Sequence, residues 1–208
     1  MDAGLREFYD VVGEPGYEID VNPEFPPDGN WAEPVFTFGP DGRVESGFAP
    51  GTGGVLVLRV TAAEAPAWVG VFPAGDLRGV DGVYAGPAAR QMCVLAAGDA
   101  YLVQVDAPHA GALVAQVQVQ QVAKSLDPAL LLLVRDFDIV AIGTSGIAWR
   151  SPRLAVDDLR VLAADSRGIH CTGYFLGDRT ETVTVDPMTG EVIDGRRLEG
   201  TGPGPGPA

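Results

Sequence analysis

Two histidines, two cysteines and a scatter of carboxylates are what this chain offers for proton transfer, nucleophilic attack or metal binding. General acid–base chemistry near neutral pH falls most often to histidine. His109 lies in the loop from Ala107 to Gly111, and His170 stands beside Cys171 in an apolar, strand-like run. Neighbours on a strand point to opposite faces, so His170 cannot act as the base for a Cys171 nucleophile. Cys93 could meet His109 only through the fold. The serine candidate, Ser145 in Gly143-Thr144-Ser145-Gly146, sits in a hairpin-like turn rather than in a Gly-x-Ser-x-Gly elbow between strand and helix.

Other chemistry is excluded by spacing. Zinc takes four nitrogen or sulfur ligands, and the four His and Cys residues show no paired spacing. Asp136-x-Asp138 and Asp157-Asp158 lack the run of oxygen ligands and the glycine that make a calcium loop, so they read as solvated charge. Gly51-Thr52-Gly53-Gly54 precedes a strand without the Gly-Lys-Ser/Thr ending of a phosphate-binding loop. No catalytic residue, metal ligand or cofactor is therefore assigned. Cys93 and Cys171 lie among apolar neighbours and read as buried free thiols.

The remaining signal is charge. The 28 acids and 14 basic residues leave a formal net charge of −14, which repels phosphate backbones and anionic lipid and would steer a basic protein inward. Residues 1–34 concentrate that charge, with Arg6 as their only base, and read as an acidic N-terminal arm. Within it Trp31, flanked by Glu24, Asp28 and Glu33, forms the candidate partner-binding set, because an indole supplies buried contact area while the acids raise the encounter rate. The N-terminus lacks a basic stretch followed by an apolar one, and the run from Ala129 to Val134 is far shorter than the ~20 residues of a membrane span. A cytoplasmic protein without membrane or nucleic-acid partners is the expectation.

The elements that must position these residues are strands. With 208 residues the chain can bury about 70% of its unfolded surface. Alternating or β-branched runs predict strands over 35–38, 44–48, 55–60, 68–72, 91–96, 101–106, 112–122, 130–134, 137–142, 147–149, 160–164, 169–175, 182–185 and 191–193. Residues 61–66 read as a short helix or loop, and 152–159 as a connector. Turn chemistry at Gly39-Pro40-Asp41-Gly42, at Gly143 to Gly146 and at Asp186 to Gly190 marks hairpins. The fold class is mostly antiparallel β, a sandwich or open barrel, with blade-like stacked sheets as an alternative and at most two short helices. An echo of Met92 to Val105 in Leu130 to Ile142, offset by about 38 residues, carries the blade-like alternative. The β-rich domain is expected over 35–199, in two sub-sheets, 35–125 and 126–199, followed by a disordered Gly/Pro tail, 200–208.

Residues 128–195 combine Gly146-Ile147-Ala148-Trp149, then Arg153-Leu154 leading to Asp157, then Val185-Asp186 through Thr189-Gly190. This resembles a module of uncharacterised bacterial β proteins with a Gly-x-x-Trp strand, an Arg-Leu-x-x-Asp connector and a Val-Asp-x-x-Thr-Gly hairpin. The resemblance covers a third of the chain and implies fold without activity. Two functional classes stay open. One is a non-catalytic acidic protein-binding module in the manner of an inhibitor or immunity protein; the other is a small hydrolase with a site assembled from dispersed Asp, Glu and His.

Overall fold

The computed structural model describes residues 9–10, 16–50, 54–74, 79–116, 118–127, 129–175 and 179–195. The Gly/Pro tail 200–208 and most of the first fifteen residues lie outside them. Eighteen strands and a single 3-10 turn, Pro108–Ala110, account for the regular structure of the described residues. The strands form four sheets, mostly antiparallel. The first sheet has the order β2(Tyr17–Val21), β5(Val55–Ala62), β6(Ala65–Pro73), β3(Val35–Phe38), β4(Val44–Ser46). The second runs β1(Tyr9–Asp10), β7(Gly82–Ala85), β8(Gln91–Ala96), β9(Asp99–Gln104), β10(Ala112–Gln116). The third is the meander β11(Gln121–Lys124), β12(Leu131–Val134), β13(Ile139–Gly143), β14(Gly146–Arg150), and the fourth is β15(Asp157–Asp165), β16(Gly168–Phe175), β17(Arg179–Val185), β18(Val192–Gly195).

Three apolar interiors join these sheets in chain order. Phe38, Leu58, Val60, Trp68 and Phe72 of the first sheet meet Met92, Val94, Tyr101 and Val103 of the second. Cys93, Leu95, Ala100 and Leu102, the alternate residues of the same two strands, meet Leu131, Leu133, Val140 and Ile142 of the third. Leu132, Val134, Ile139 and Ala141 then face Val161, Ile169, Cys171, Val183 and Val185 of the fourth. Successive side chains of a strand alternate faces, so strands buried on both sides must be apolar throughout. Hence Met92-Cys93-Val94-Leu95 and Leu131-Leu132-Leu133-Val134 are uninterrupted runs with every residue buried. No sheet closes into a barrel, and four layers replace the two of a sandwich; the blade-like alternative describes the arrangement. The central hairpins begin at Val55, Gln91, Leu131 and Gly168, a spacing of roughly 36 to 40 residues.

The hairpins follow local chemistry. Ala97 (φ 46°) and Gly98 (φ 93°) make the two-residue turn between β8 and β9 that two left-handed residues favour. A Cβ on Gly98 would lie 2.8 Å from the Cα of Gly79, so the close backbone approach there also asks for glycine. The turns predicted at 39–42, 143–146 and 186–190 are present. Asp186 anchors the last by accepting the backbone N–H groups of Met188 (2.8 Å) and Thr189 (2.9 Å), which hold its carboxyl below the usual range.

Two sequence expectations are corrected. Residues 61–66 are neither helix nor loop: β5 runs to Ala62 and β6 restarts at Ala65, because apolar Ala62 and Ala65 pair across a tight turn. Residues 112–122 are two strands in different sheets. The chain crosses between sheets where Gln118 takes a φ of 44° and fully buried Val119 enters the second interior, binding Gly98 O and Val80 N. Gln121 exchanges hydrogen bonds with the Val161 backbone (3.1 and 2.9 Å), its amide bridging the third and fourth sheets as a strand would. Within the acidic segment, β2 pairs along β5 with Tyr17 buried against the first interior. The third sheet begins at Gln121.

Candidate functional site

Backbone turns, rather than strands, build the candidate binding face. Asn22, left-handed at φ 49°, takes the chain off β2 while exchanging hydrogen bonds with the Val57 backbone at 2.7 and 3.1 Å. Pro23, Pro26 and Pro27 then deny the ladder its N–H donors, so residues 22–34 form a loop. Within it the Gly29 N–H donates to Pro26 O at 2.9 Å, and the Asn30 N–H donates to Asp28 Oδ1 at 3.1 Å. Phe25 thereby reaches Trp31, edge to face, at a ring separation of 5.7 Å. On its other side it meets Phe48, with ring centres 5.2 Å apart. Phe48 belongs to the loop after β4, tied down by Thr37, whose hydroxyl donates to Gly47 O (2.6 Å) and accepts from the Ala49 N–H (3.1 Å).

The four residues singled out from the sequence take different roles. Trp31 is half-buried in the aromatic cluster, and its indole Nε1 is buried with no acceptor among the described residues. Glu24 is exposed beside Phe25, and Asp28 is exposed in the turn between Phe25 and Trp31. Glu33 is taken up internally, pairing with Arg59 on the outer side of the first sheet with only 14% of its side chain exposed. Sequence reasoning missed Phe25, 49% exposed, and Phe48, 38% exposed. The signal was available, since an aromatic residue between prolines in a loop has no strand face to bury it.

The histidines are not brought together. His109 is exposed on the 3-10 turn. His170 lies half-buried on the outer side of β16, between Asp165 (Nε2 to Oδ1, 3.1 Å) and Thr184 (Nδ1 to Oγ1, 3.3 Å). The hydrogen bond with His170, and after it the Arg167 N–H, hold the Asp165 carboxyl well below the ordinary carboxylate range. Ser145 is exposed in the β13–β14 turn. Cys93 and Cys171 are free and buried, as expected, and burial pushes both thiols up to about 12, where no useful thiolate forms at neutral pH. Among the described residues no three His, Cys, Asp or Glu side chains group to hold a metal ion.

Asp136 and Asp138 do not point together into solvent. Asp138 is buried and accepts two hydrogen bonds from Arg135 (Nε to Oδ1, 2.5 Å; NH2 to Oδ2, 2.8 Å), because the tight 135–138 turn folds the guanidinium back onto it. Arg153 donates to the carbonyls of Ala155 and Val156 rather than pairing with Asp157 or Asp158, and Asp158 instead pairs with Arg160. Trp149 seats its indole on Pro187 O (3.1 Å) and against Gly190, where a Cβ would lie 2.5 Å from the ring. The Gly-x-x-Trp strand and the Thr-Gly turn thus touch.

A cleft of about 560 Å³ opens where the turns of the first three sheets meet, lined by Tyr17, Pro87, Arg90, Gln91, Lys124 and Leu130 among others. Its guanidinium is already engaged, since Arg90 pairs with Asp106 (3.1 Å) and Glu64 (3.6 Å). Among the described residues no helix is long and apolar enough to cross a membrane. No protein-family model, curated protein or solved structure matches the chain.

Proposed function

We propose that this protein is a non-catalytic, acidic binding module that engages a basic protein through the loops on the first sheet, in the manner of an inhibitor or immunity protein. The observation that carries this reading is the exposed cluster of Phe25, Trp31 and Phe48 in an acidic stretch. Residues 16–50 hold seven acids against Arg43 alone, and Arg43 pairs with Asp41. Aromatic anchors inside a polar rim are the usual composition of interfaces. Buried free thiols fit a reducing, cytoplasmic setting.

Calorimetric titration with poly-L-arginine, and with poly-L-glutamate as control, tests the reading in low and physiological salt. Binding of the polycation that weakens with salt, and weakens further in the double variant F25A/F48A, supports it. Equal binding by wild type and F25A/F48A would reduce the effect to net charge and overturn it. The hydrolase alternative draws on the Asp165–His170–Thr184 chain. It carries less weight, because Asp165 also accepts from Arg167 (N–H 2.7 Å) and the chain sits on the outer face of the fourth sheet, away from the cleft.

A further inference from the structure

The molecule shows at Phe137 what an aromatic ring does with an arginine. The guanidinium carbons of Arg135 and Arg153 lie 4.4 and 5.2 Å from the centre of the Phe137 ring, within the ~6 Å at which the ring quadrupole attracts a cation. At the Phe25–Trp31–Phe48 cluster the arrangement is the complement. Three rings are grouped, half of Phe25 is open, and Glu24 and Asp28 flank it in sequence. Among the described residues no cation lies over any of these rings. The buried indole N–H without an acceptor is a second irregularity at the same place, of a kind that native folds rarely keep.

We propose that Phe25, Trp31 and Phe48 form a receptor for a single arginine side chain of the partner. The inference rests on the basic-partner reading and names its recognition element. Arginine suits the cluster better than lysine, because a planar, weakly hydrated guanidinium can lie on a ring face while its edge N–H groups reach carboxylates. Glu24 and Asp28 supply those carboxylates, and the ring faces supply the contact.

The test is a titration of isotope-labelled full-length protein with three short capped peptides, Gly-Arg-Gly, Gly-Lys-Gly and Gly-citrulline-Gly. It follows the Trp31 indole N–H resonance, assigned with W31F. The arginine peptide is expected to shift that resonance saturably, and the lysine peptide several-fold more weakly. Citrulline, the neutral isostere, should leave it unmoved. F25A/F48A should weaken the arginine peptide by about fivefold or more, roughly one cation–π interaction. E24Q, an exposed isosteric change, should weaken it less and remove part of the salt dependence. No shift with the arginine peptide, an equal shift with citrulline or lysine, or an unchanged affinity in F25A/F48A would overturn the receptor. If poly-L-arginine binding still depends on Phe25 and Phe48 while the arginine peptide fails, the receptor falls and the basic-partner reading stands.

Discussion

Phe137, in the turn between β12 and β13, and Phe25, in the loop after β2, are both aromatic residues carried between strands, yet their electrostatic surroundings are opposite. Phe137 has the guanidinium groups of Arg135 and Arg153 over its ring, Arg135 is locked to buried Asp138, and the Phe137 carbonyl accepts the N–H groups of Leu154 (2.7 Å) and Ala155 (3.3 Å). Every group there has its partner within the chain, and the connector from the third to the fourth sheet is anchored by it. Phe25 has aromatic neighbours and carboxylates in its loop, with no described cation on its face. The same residue types serve structure where charges close on one another and recognition where they are left open.

The comparison is broken most severely at Asp138. D138A leaves the 17%-exposed Arg135 guanidinium without its carboxylate and is expected to destabilise the fold by about 3 kcal/mol in urea denaturation. A loss below ~1 kcal/mol would mean that the Phe137 site is as open as the Phe25 site. F137L keeps apolar volume and removes both ring–guanidinium contacts, so about 1 kcal/mol should be lost. By contrast F25A/F48A, at two exposed positions, should cost about 1 kcal/mol or less while abolishing most polycation binding. A large loss of stability would mark that cluster as structural.

Smaller effects sharpen the contrast. E33Q should cost less than about 1 kcal/mol, because Arg59 is 48% exposed and its pairing is screened by solvent. At Asp165 the effect is one of pH. Its carboxyl is held low in the folded state by His170 and Arg167, so it stabilises above the unfolded value of about 4. That contribution is lost as pH falls toward the folded value. The Tm difference between wild type and D165N should therefore be small at pH 7 and shrink further in acid; a difference that grows on acidification would refute the sign.

Legibility varied by element for physical reasons. Strands such as 91–96 and 131–134 were readable because burial on both faces demands apolar runs. Short β7(Gly82–Ala85) and acidic β2(Tyr17–Val21) were missed, since an edge strand with one exposed face can carry Glu18 and Asp20 outward and still pair. Trp31 drew attention as an indole in an acidic stretch, whereas Phe25 and Phe48 are 23 residues apart and were joined only by the loops that β3, β4 and Thr37 hold in place. Asp138 reads as solvated in sequence because nothing local marks a carboxylate as buried.

What the amino-acid order determined by itself is local: strand period, turn type, a net charge of −14 and thiols set among apolar neighbours. Each depends on residues within a few positions of one another, through backbone dihedral preference and the alternation of side chains. Only the tertiary structure decided that four sheets stack through three interiors, that Gln121 bridges two of them, and that Phe137 is closed by arginines while the Phe25 cluster lies open. Those outcomes turn on distances between residues far apart in the chain, set by which faces bury together, and no local preference encodes them.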